Sequence, residues 1–254
     1  MEIQELEHAL EGAFAETLLY AFVPGLLHNF ANPLNGIMGR AKILERRLEN
    51  LQAAMEKSGV RLPGALAEDW SKVQSDVRLL NSESERFADV FQDVASRFGI
   101  LTHKKADRFD LVSLVRREVR FADHYLDFKH RVRKVLDLSD GVPPVLGVQA
   151  HFSMALWAML RHAAVRMGAQ GDQELHVTVG KENDRVLLGI RHTGTPLTDE
   201  ERKYMSGVLE ENRQPRIREN PHCALCLSLL VWKHYGAAVS AEQGQEIGIS
   251  IPAG

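Results

Sequence analysis

The stretch Leu27-His28-Asn29-Phe30-Ala31-Asn32-Pro33-Leu34-Asn35-Gly36-Ile37 carries a structural pattern and a chemical one together. Leu27 and Leu34 begin a row that continues through Ala41 and Leu48, while Phe30 and Ile37 begin a second through Leu44 and Leu51. Apolar positions alternating three and four apart form the seam of a coiled coil or four-helix bundle. His28 falls one residue past the seam, which places it on the bundle flank, where a partner can reach it. Asn32 and Asn35 follow at one and two turns along the same face. Pro33 lies inside this helix at a cost of roughly 3 kcal/mol or more, because it removes the amide that would bond the carbonyl of Asn29. A helix breaker beside a flank histidine points to a site, since local rules are broken mainly where function requires it.

Outward from this helix, the segment from Lys57 to Gly64 contains Gly59, Pro63 and Gly64 and interrupts the pattern. A second heptad run follows, with Leu66, Val73, Leu80, Phe87, Val94 and Leu101 alternating with Trp70, Val77, Ser84, Phe91 and Phe98. Two long helices joined by a short break form an antiparallel hairpin. Two apolar stripes cannot enclose a core alone, so the pattern predicts a homodimer in which two hairpins complete a four-helix bundle. The alternative is a monomer that folds the hairpin onto its own second domain. Pro24 suits a first helical turn and sets the start of the main helix there. Met1 to Tyr20 is also helical in pattern, with Leu6, Leu10 and Phe14 on one side.

From Asp110 the periodicity becomes mixed. A helix is expected over 111–122, a strand over 132–138 and a long helix over 150–167. Strands over 174–179 and 185–190 flank an Asn183-Asp184 turn. A polar, Arg-rich loop is expected from Thr198 to Pro221, then a helix from Cys223 to His234 and strands over 238–242 and 247–251. Helices on one face of a mixed sheet make an α/β sandwich. The fold class is therefore α+β, with residues 1–23 a helical extension, 24–105 the dimerisation hairpin and 106–254 the sandwich.

The 254 residues suit two modest domains, and 44% hydrophobic with 26% charged residues is a globular composition. A formal net charge of -3 argues against a nucleic-acid footprint. No apolar run is long enough to span a bilayer and no signal peptide opens the chain, so a cytoplasmic address is the default expectation. Cys223 and Cys226 are too few for a disulfide framework. With His222 and His234 nearby they could suggest zinc, but two small residues on a buried helix face is the plainer expectation. No metal site is expected. Trp157 and Met159 read as core, and the Arg213–Arg218 run as a solvated loop.

The run from His28 to Ile37 resembles the phospho-acceptor box of sensor histidine kinases, His-Glu-x-x-Asn/Thr-Pro-Leu. The resemblance implies that His28 accepts a phosphoryl group and that Asn32 orients water when a response-regulator receiver is dephosphorylated. It places Asn29, Asn35 and Gly36 in the partner's footprint. Asn29 departs from the pattern, standing where the family has an acidic base for autophosphorylation. An amide cannot take a proton at neutral pH, so autokinase chemistry should be lost while acceptance from a partner need not be.

The second half resembles the histidine-kinase ATP-binding domain, which shares its fold with gyrase and heat-shock chaperone ATPases. The functional boxes differ. Where the family has Asn-x-x-x-Asn-Ala for magnesium and phosphate, this chain has Ala158-Met159-Leu160-Arg161-His162-Ala163. Where it has Asp-x-Gly-x-Gly for adenine, this chain has His192-Thr193-Gly194-Thr195-Pro196. A histidine does not reproduce the carboxylate, and Pro196 has neither the freedom nor the donor of glycine. Where it has Gly-Leu-Gly-Leu at a phosphate-binding helix start, this chain has Ala224-Leu225-Cys226-Leu227, whose side chains are expected to fill phosphate space.

The resemblance therefore implies a phosphotransferase that needs no ATP or magnesium cofactor of its own. Its expected partners are a response-regulator receiver and a second copy of the chain. The rival readings are a divergent but working autokinase, a non-catalytic dimeric scaffold, and a regulator that assists receiver dephosphorylation through Asn32.

Overall fold

The structure is a computed structural model describing residues 23–125, 132–168, 173–211, 223–241 and 245–254. The leading segment 1–20 and the Arg213–Arg218 run lie outside the described residues. The chain divides into two compact units between Phe98 and Gly99.

The first unit is the hairpin of α1 (Val23–Lys57) and α2 (Gly64–Thr102). α1 runs through Pro33 without a break. It stops where Gly59 takes φ 66°, a left-handed conformation open to glycine. The Val60 amide bonds Met55 O at 3.0 Å and the Gly59 amide bonds Glu56 O at 3.2 Å, the paired closure of a Schellman cap. The antiparallel register is fixed by three cross-helix pairs. Lys42 meets Glu85 at 3.0 Å, Asn81 donates to Glu45, and Gln74 donates to Gln52.

Within this hairpin the expected seam splits in two. Leu34 and Ala41 are buried, with Asn81 and Ser84 buried on α2. Phe30, Ile37, Leu44 and Leu51 on α1, and Leu66, Val73, Leu80 and Phe87 on α2, stay 46–57% exposed. Two helices present only one mutual face, so a single hairpin uses one heptad row from each helix and leaves the other row uncovered.

The second unit is a two-layer α/β sandwich. Its five-stranded sheet comprises β2 (Val132–Leu138), β4 (Gln173–Glu182), β5 (Arg185–His192), β7 (Glu246–Pro252) and β6 (Ala238–Ser240), in that spatial order. β2 pairs parallel with β4; the other pairings are antiparallel. Leu175, Val177 and Val179 of β4, Val186, Leu188 and Ile190 of β5, and Ile247, Ile249 and Ile251 of β7 are buried at every second position. That alternation gives the sheet one core face. Phe109, Leu111 and Leu114, and the helices α4 (Gln149–Met167) and α6 (Cys223–His234), supply much of that core. Phe152, Leu156, Met159, Leu229 and Trp232 are at most 1% exposed, each burial contributing about 1.5–3 kcal/mol. Trp157 is partly buried against Phe121, their ring centroids 5.4 Å apart.

Two features depart from expectation. β1 (Ala106–Phe109) and β3 (Val145–Val148) pair antiparallel as a separate two-stranded sheet, each too short to show a sequence period. The expected loop after Thr198 begins with a helix, α5 (Asp199–Glu211). The Thr198 amide donates to Glu201 Oε2 at 2.7 Å and the Glu201 amide donates to Thr198 Oγ1 at 3.2 Å. This is a capping box, and Asp199, Glu200 and Glu201 in the first turn suit the helix dipole. The helix α3 (Leu111–Tyr125) starts after Asp110, whose carboxylate accepts from the Val112 amide at 2.9 Å.

Candidate functional site

On the hairpin, residue 28 occupies the second turn of α1, and Asn32, Asn35 and Gly39 are all exposed further along its face. The side chains of His28 and Asn29 lie outside the described residues. Pro33 is exposed as well, so its missing amide disturbs the helix on the solvent side. A Cβ at Gly36 or Gly39 would meet nothing within 4 Å. This stretch of α1 thus presents short amides and bare backbone to solvent, a surface on which a partner can approach closely.

In the sandwich, residues from three separate stretches of the chain converge. Ala158, Arg161, His162, Val165 and Arg166 of α4, Thr195 of the loop after β5, Glu201 of α5, and Ala224 and Leu225 of α6 line one cleft of about 600 Å³. This lies within the usual range for small-molecule sites. Sequence spacing alone separates these residues by up to 67 positions, from Ala158 to Leu225.

The individual residues are placed as follows. His192 is 5% exposed and stands behind the lining, its ring centroid 6.4 Å from that of His162. Burial first, and the charge of Arg166 second, push its pKa down, so the ring is held neutral. Its Nδ1 has no hydrogen-bond partner among the described residues. Gly194 is packed against α4: a Cβ there would come within 2.4 Å of the Arg166 backbone. The Thr195 amide bonds Arg166 O at 3.1 Å and Gln245 Nε2 bonds Gly194 O at 2.8 Å, pinning the loop on both sides. Pro196 is exposed beyond this anchor.

Arg166 pairs with Glu201 at 2.5 Å, both side chains largely buried. Sequence reading missed this pair, although the Thr198-x-x-Glu201 box was the available signal for the helix that delivers Glu201. One expectation is corrected. Cys226 does not line the cleft; one turn inside α6, it is fully buried in the core. Ala224 and Leu225 are the residues of that box at the cleft wall. The Cys223 side chain and His222 lie outside the described residues, and among the described residues no group of three metal-ligating side chains occurs.

A magnesium-bound nucleotide requires acceptor oxygens at the metal and an acceptor at the adenine amine. The lining offers one carboxylate, Glu201, and it is already held by Arg166 and the Thr198 amide. The described residues of the lining do not fit that group.

No family model matches the chain. In sequence it is 32% identical over 129 residues to the sensor histidine kinase GacS of Pseudomonas protegens, covering 46% of this chain and 14% of that protein. It is 29% identical over 132 residues to the sensor protein GacS of Pseudomonas syringae pv. syringae, covering 48% of this chain and again 14% of the relative. The match thus spans about one-seventh of the length of these relatives. Among solved structures, the catalytic domain of histidine kinase ThkA aligns with a TM-score of 0.47 at 14% identity, covering 59% of this chain and 97% of that one. Acinetobacter baumannii histidine kinase AdeS aligns with a TM-score of 0.42 at 14% identity, covering 89% of this chain and 98% of that one. The sequence relatives, together with a hairpin followed by an α/β sandwich, support a two-component histidine-kinase core. Among the described residues, no helix is long and apolar enough to cross a membrane.

Proposed function

We propose that the chain is a two-component phosphotransfer protein that carries a phosphoryl group on His28 between receiver domains and does not draw it from ATP. The observation behind this reading is the convergence of Ala158, His162, Thr195 and Ala224 on one cleft whose described lining offers a single carboxylate, Glu201, already paired with Arg166. The acceptor box on α1 keeps His28, Asn32 and Pro33, the parts needed to take phosphate from a partner, and lacks the acidic neighbour needed to take it from ATP.

The step is an in-line displacement. A neutral imidazole nitrogen of His28 attacks the phosphorus of a receiver's aspartyl phosphate with its lone pair. The N–P bond forms as the P–O bond to the aspartyl carboxylate breaks, and the carboxylate leaves with that electron pair. The proton on the other ring nitrogen passes to solvent. Charge on the transferring group is neutralised by the receiver's own divalent cation, so this chain contributes position and nucleophile. Asn29, Asn35 and Gly36 lie in the docking footprint. Two hairpins pair through the uncovered heptad rows, forming a homodimer with two acceptor sites.

Incubation with a phosphorylated receiver tests this. Label should move to the wild-type chain and not to His28→Ala, and ATP with magnesium should give no label. Labelling of His28 from ATP alone would replace this reading with a divergent autokinase. Full signalling function in His28→Ala would leave a scaffold.

A further inference from the structure

The helix α3 divides into two faces. Leu111, Leu114, Val115, Val119 and Ala122 are at most 3% exposed and join the sandwich core. Ser113, Arg116, Arg117 and Arg120 lie three or four residues apart across the opposite side, and all are exposed. Glu118 is the one acidic residue between Leu111 and Ala122. It is buried in the interior, where Ser153 Oγ donates to it, so it leaves the arginine face unbalanced. Like charges at this spacing weaken a helix slightly, and here the packed apolar face holds them in place. Elsewhere among the described residues exposed cations meet acids: Lys42 with Glu85, Arg86 with Glu83 and Arg133 with Glu174. Arg116 and Arg117 have no such partner among the described residues. The chain just before α3 adds Lys104, Lys105 and Arg108, all exposed. Residues 103–120 hold six Lys and Arg against three Asp and Glu, a formal charge of +3 in a chain whose total is -3.

We propose that the outward face of α3 docks an acidic segment of a partner protein, with carboxylates on Arg116 and Arg117 and Arg120 at the edge. Charge complementarity names the chemistry, and the geometry narrows it. Guanidinium forks on a packed helix are preorganised for carboxylates, each of which accepts two parallel bonds. From Arg116 to Arg120 the stripe runs about 6 Å along the axis, roughly one helical turn. That length suits a short peptide and is far less than a duplex or a bilayer surface would engage. The apolar side of α3 is already in the core, so the helix has no apolar face to lay into lipid. The remainder of the chain is net acidic and repels an extended polyanion that would reach past the stripe. The surface is independent of the phosphotransfer at His28 and of the cleft lined by Ala158 and Ala224.

Fluorescence anisotropy of the full chain tests it. The probe is a labelled alanine-based helical peptide whose glutamates lie three and four residues apart on one face. A peptide of the same composition with its glutamates spread around the helix is the comparison. The face-matched peptide should bind saturably, more tightly than the spread one, and lose affinity as salt rises. Arg116→Glu with Arg117→Glu should weaken it about tenfold or more by turning attraction into repulsion. Lys57→Glu with Arg61→Glu makes the same change in net charge at the exposed turn of the hairpin and should leave binding unchanged. Arg117→Gln alone should also weaken the peptide without lowering the unfolding temperature, since it removes an exposed like charge. Absence of peptide binding, equal binding of the two peptides, or equal loss in both double variants overturns the proposal. So does binding of phosphatidylserine-containing vesicles or duplex DNA as tight as that of the peptide and equally sensitive to Arg116 and Arg117. Phosphotransfer to His28 that fails while peptide binding stands overturns only the phosphotransfer reading.

Discussion

His162 and His192 face one another edge to plane at a ring-centroid distance of 6.4 Å, the first five residues before the end of α4 and the second at the last residue of β5. Behind them Arg166 is held by Glu201. Protonating His192 would set a second positive charge into this buried corner. Its folded pKa is depressed by burial and then by Arg166, so in the folded chain it stays neutral at pH values where the unfolded chain takes a proton. The unfolded state therefore binds more protons below the ordinary histidine pKa of about 6.5, and stability falls as pH drops from there toward the folded value. The loss should reach at most about 1.4 kcal/mol per pH unit inside this window. Urea unfolding at pH 7.5, 6.5 and 5.5 measures it, and His192→Gln should flatten the dependence. An equal pH slope in wild type and His192→Gln would show that other groups carry it.

Two glycines separate packing from propensity. At Gly194 a Cβ would lie 2.4 Å from the Arg166 backbone, which cannot move without shifting α4. Gly194→Ala should cost on the order of 1–3 kcal/mol, as overpacking does. Gly39 sits in the middle of α1 with open space around it, so Gly39→Ala should stabilise the hairpin by roughly 0.5–1 kcal/mol through helix propensity. Thermal unfolding of the two variants should move in opposite directions. Similar shifts would contradict the packing assigned to residue 194.

Thr198 and Glu201 define the start of α5 and also its connection to α4, because Glu201 Oε2 accepts from the Thr198 amide and forms an ion pair with Arg166. Thr198→Ala should cost about 1 kcal/mol, the usual loss of an N-cap. Glu201→Ala should cost more, since it also leaves a largely buried guanidinium without its counter-charge. A double-mutant cycle of Arg166→Ala with Glu201→Ala should give a coupling of roughly 0.5–3 kcal/mol. A coupling near zero would mean that the pair does not fasten α5 to α4.

Much of this molecule was legible in the sequence because its signals are periodic. The heptads from Leu27 and Leu66 specify two helices, and the alternation through Leu175, Val177 and Val179 specifies a half-buried strand. That His162, Thr195 and Ala224 would meet at one cleft follows from helix and strand ends, since they stand near the ends of α4, β5 and α6. What was illegible is what no period encodes. β1 and β3 are four residues each, and α5 begins inside a polar stretch whose only signal is Thr198-x-x-Glu201. The fate of Cys226 turned on which side of α6 is buried in the core, a fact of packing that a box of residue types does not contain.

The uncovered heptad rows give the sharpest test of assembly. Phe30, Ile37, Leu44 and Leu51 run beside Leu66, Val73, Leu80 and Phe87 on the hairpin, and each is roughly half exposed. Surface leucines occur singly on any protein, but eight large apolar residues in two heptad rows form a continuous patch that water does not favour. A second hairpin related by a two-fold axis covers both rows at once, because such an interface is self-complementary. Leu44→Glu with Leu80→Glu places a charge on each row while leaving Leu34 and Ala41 in the buried one. Sedimentation should then show a dimer for wild type and a monomer for the double variant, with helical content retained near room temperature. Receiver-dependent labelling at His28 should fall with the dimer if the partner docks across both hairpins, and persist in the monomer if one hairpin is enough. A wild-type chain that sediments as a monomer at micromolar concentration would remove the second copy from the account and require another cover for these rows.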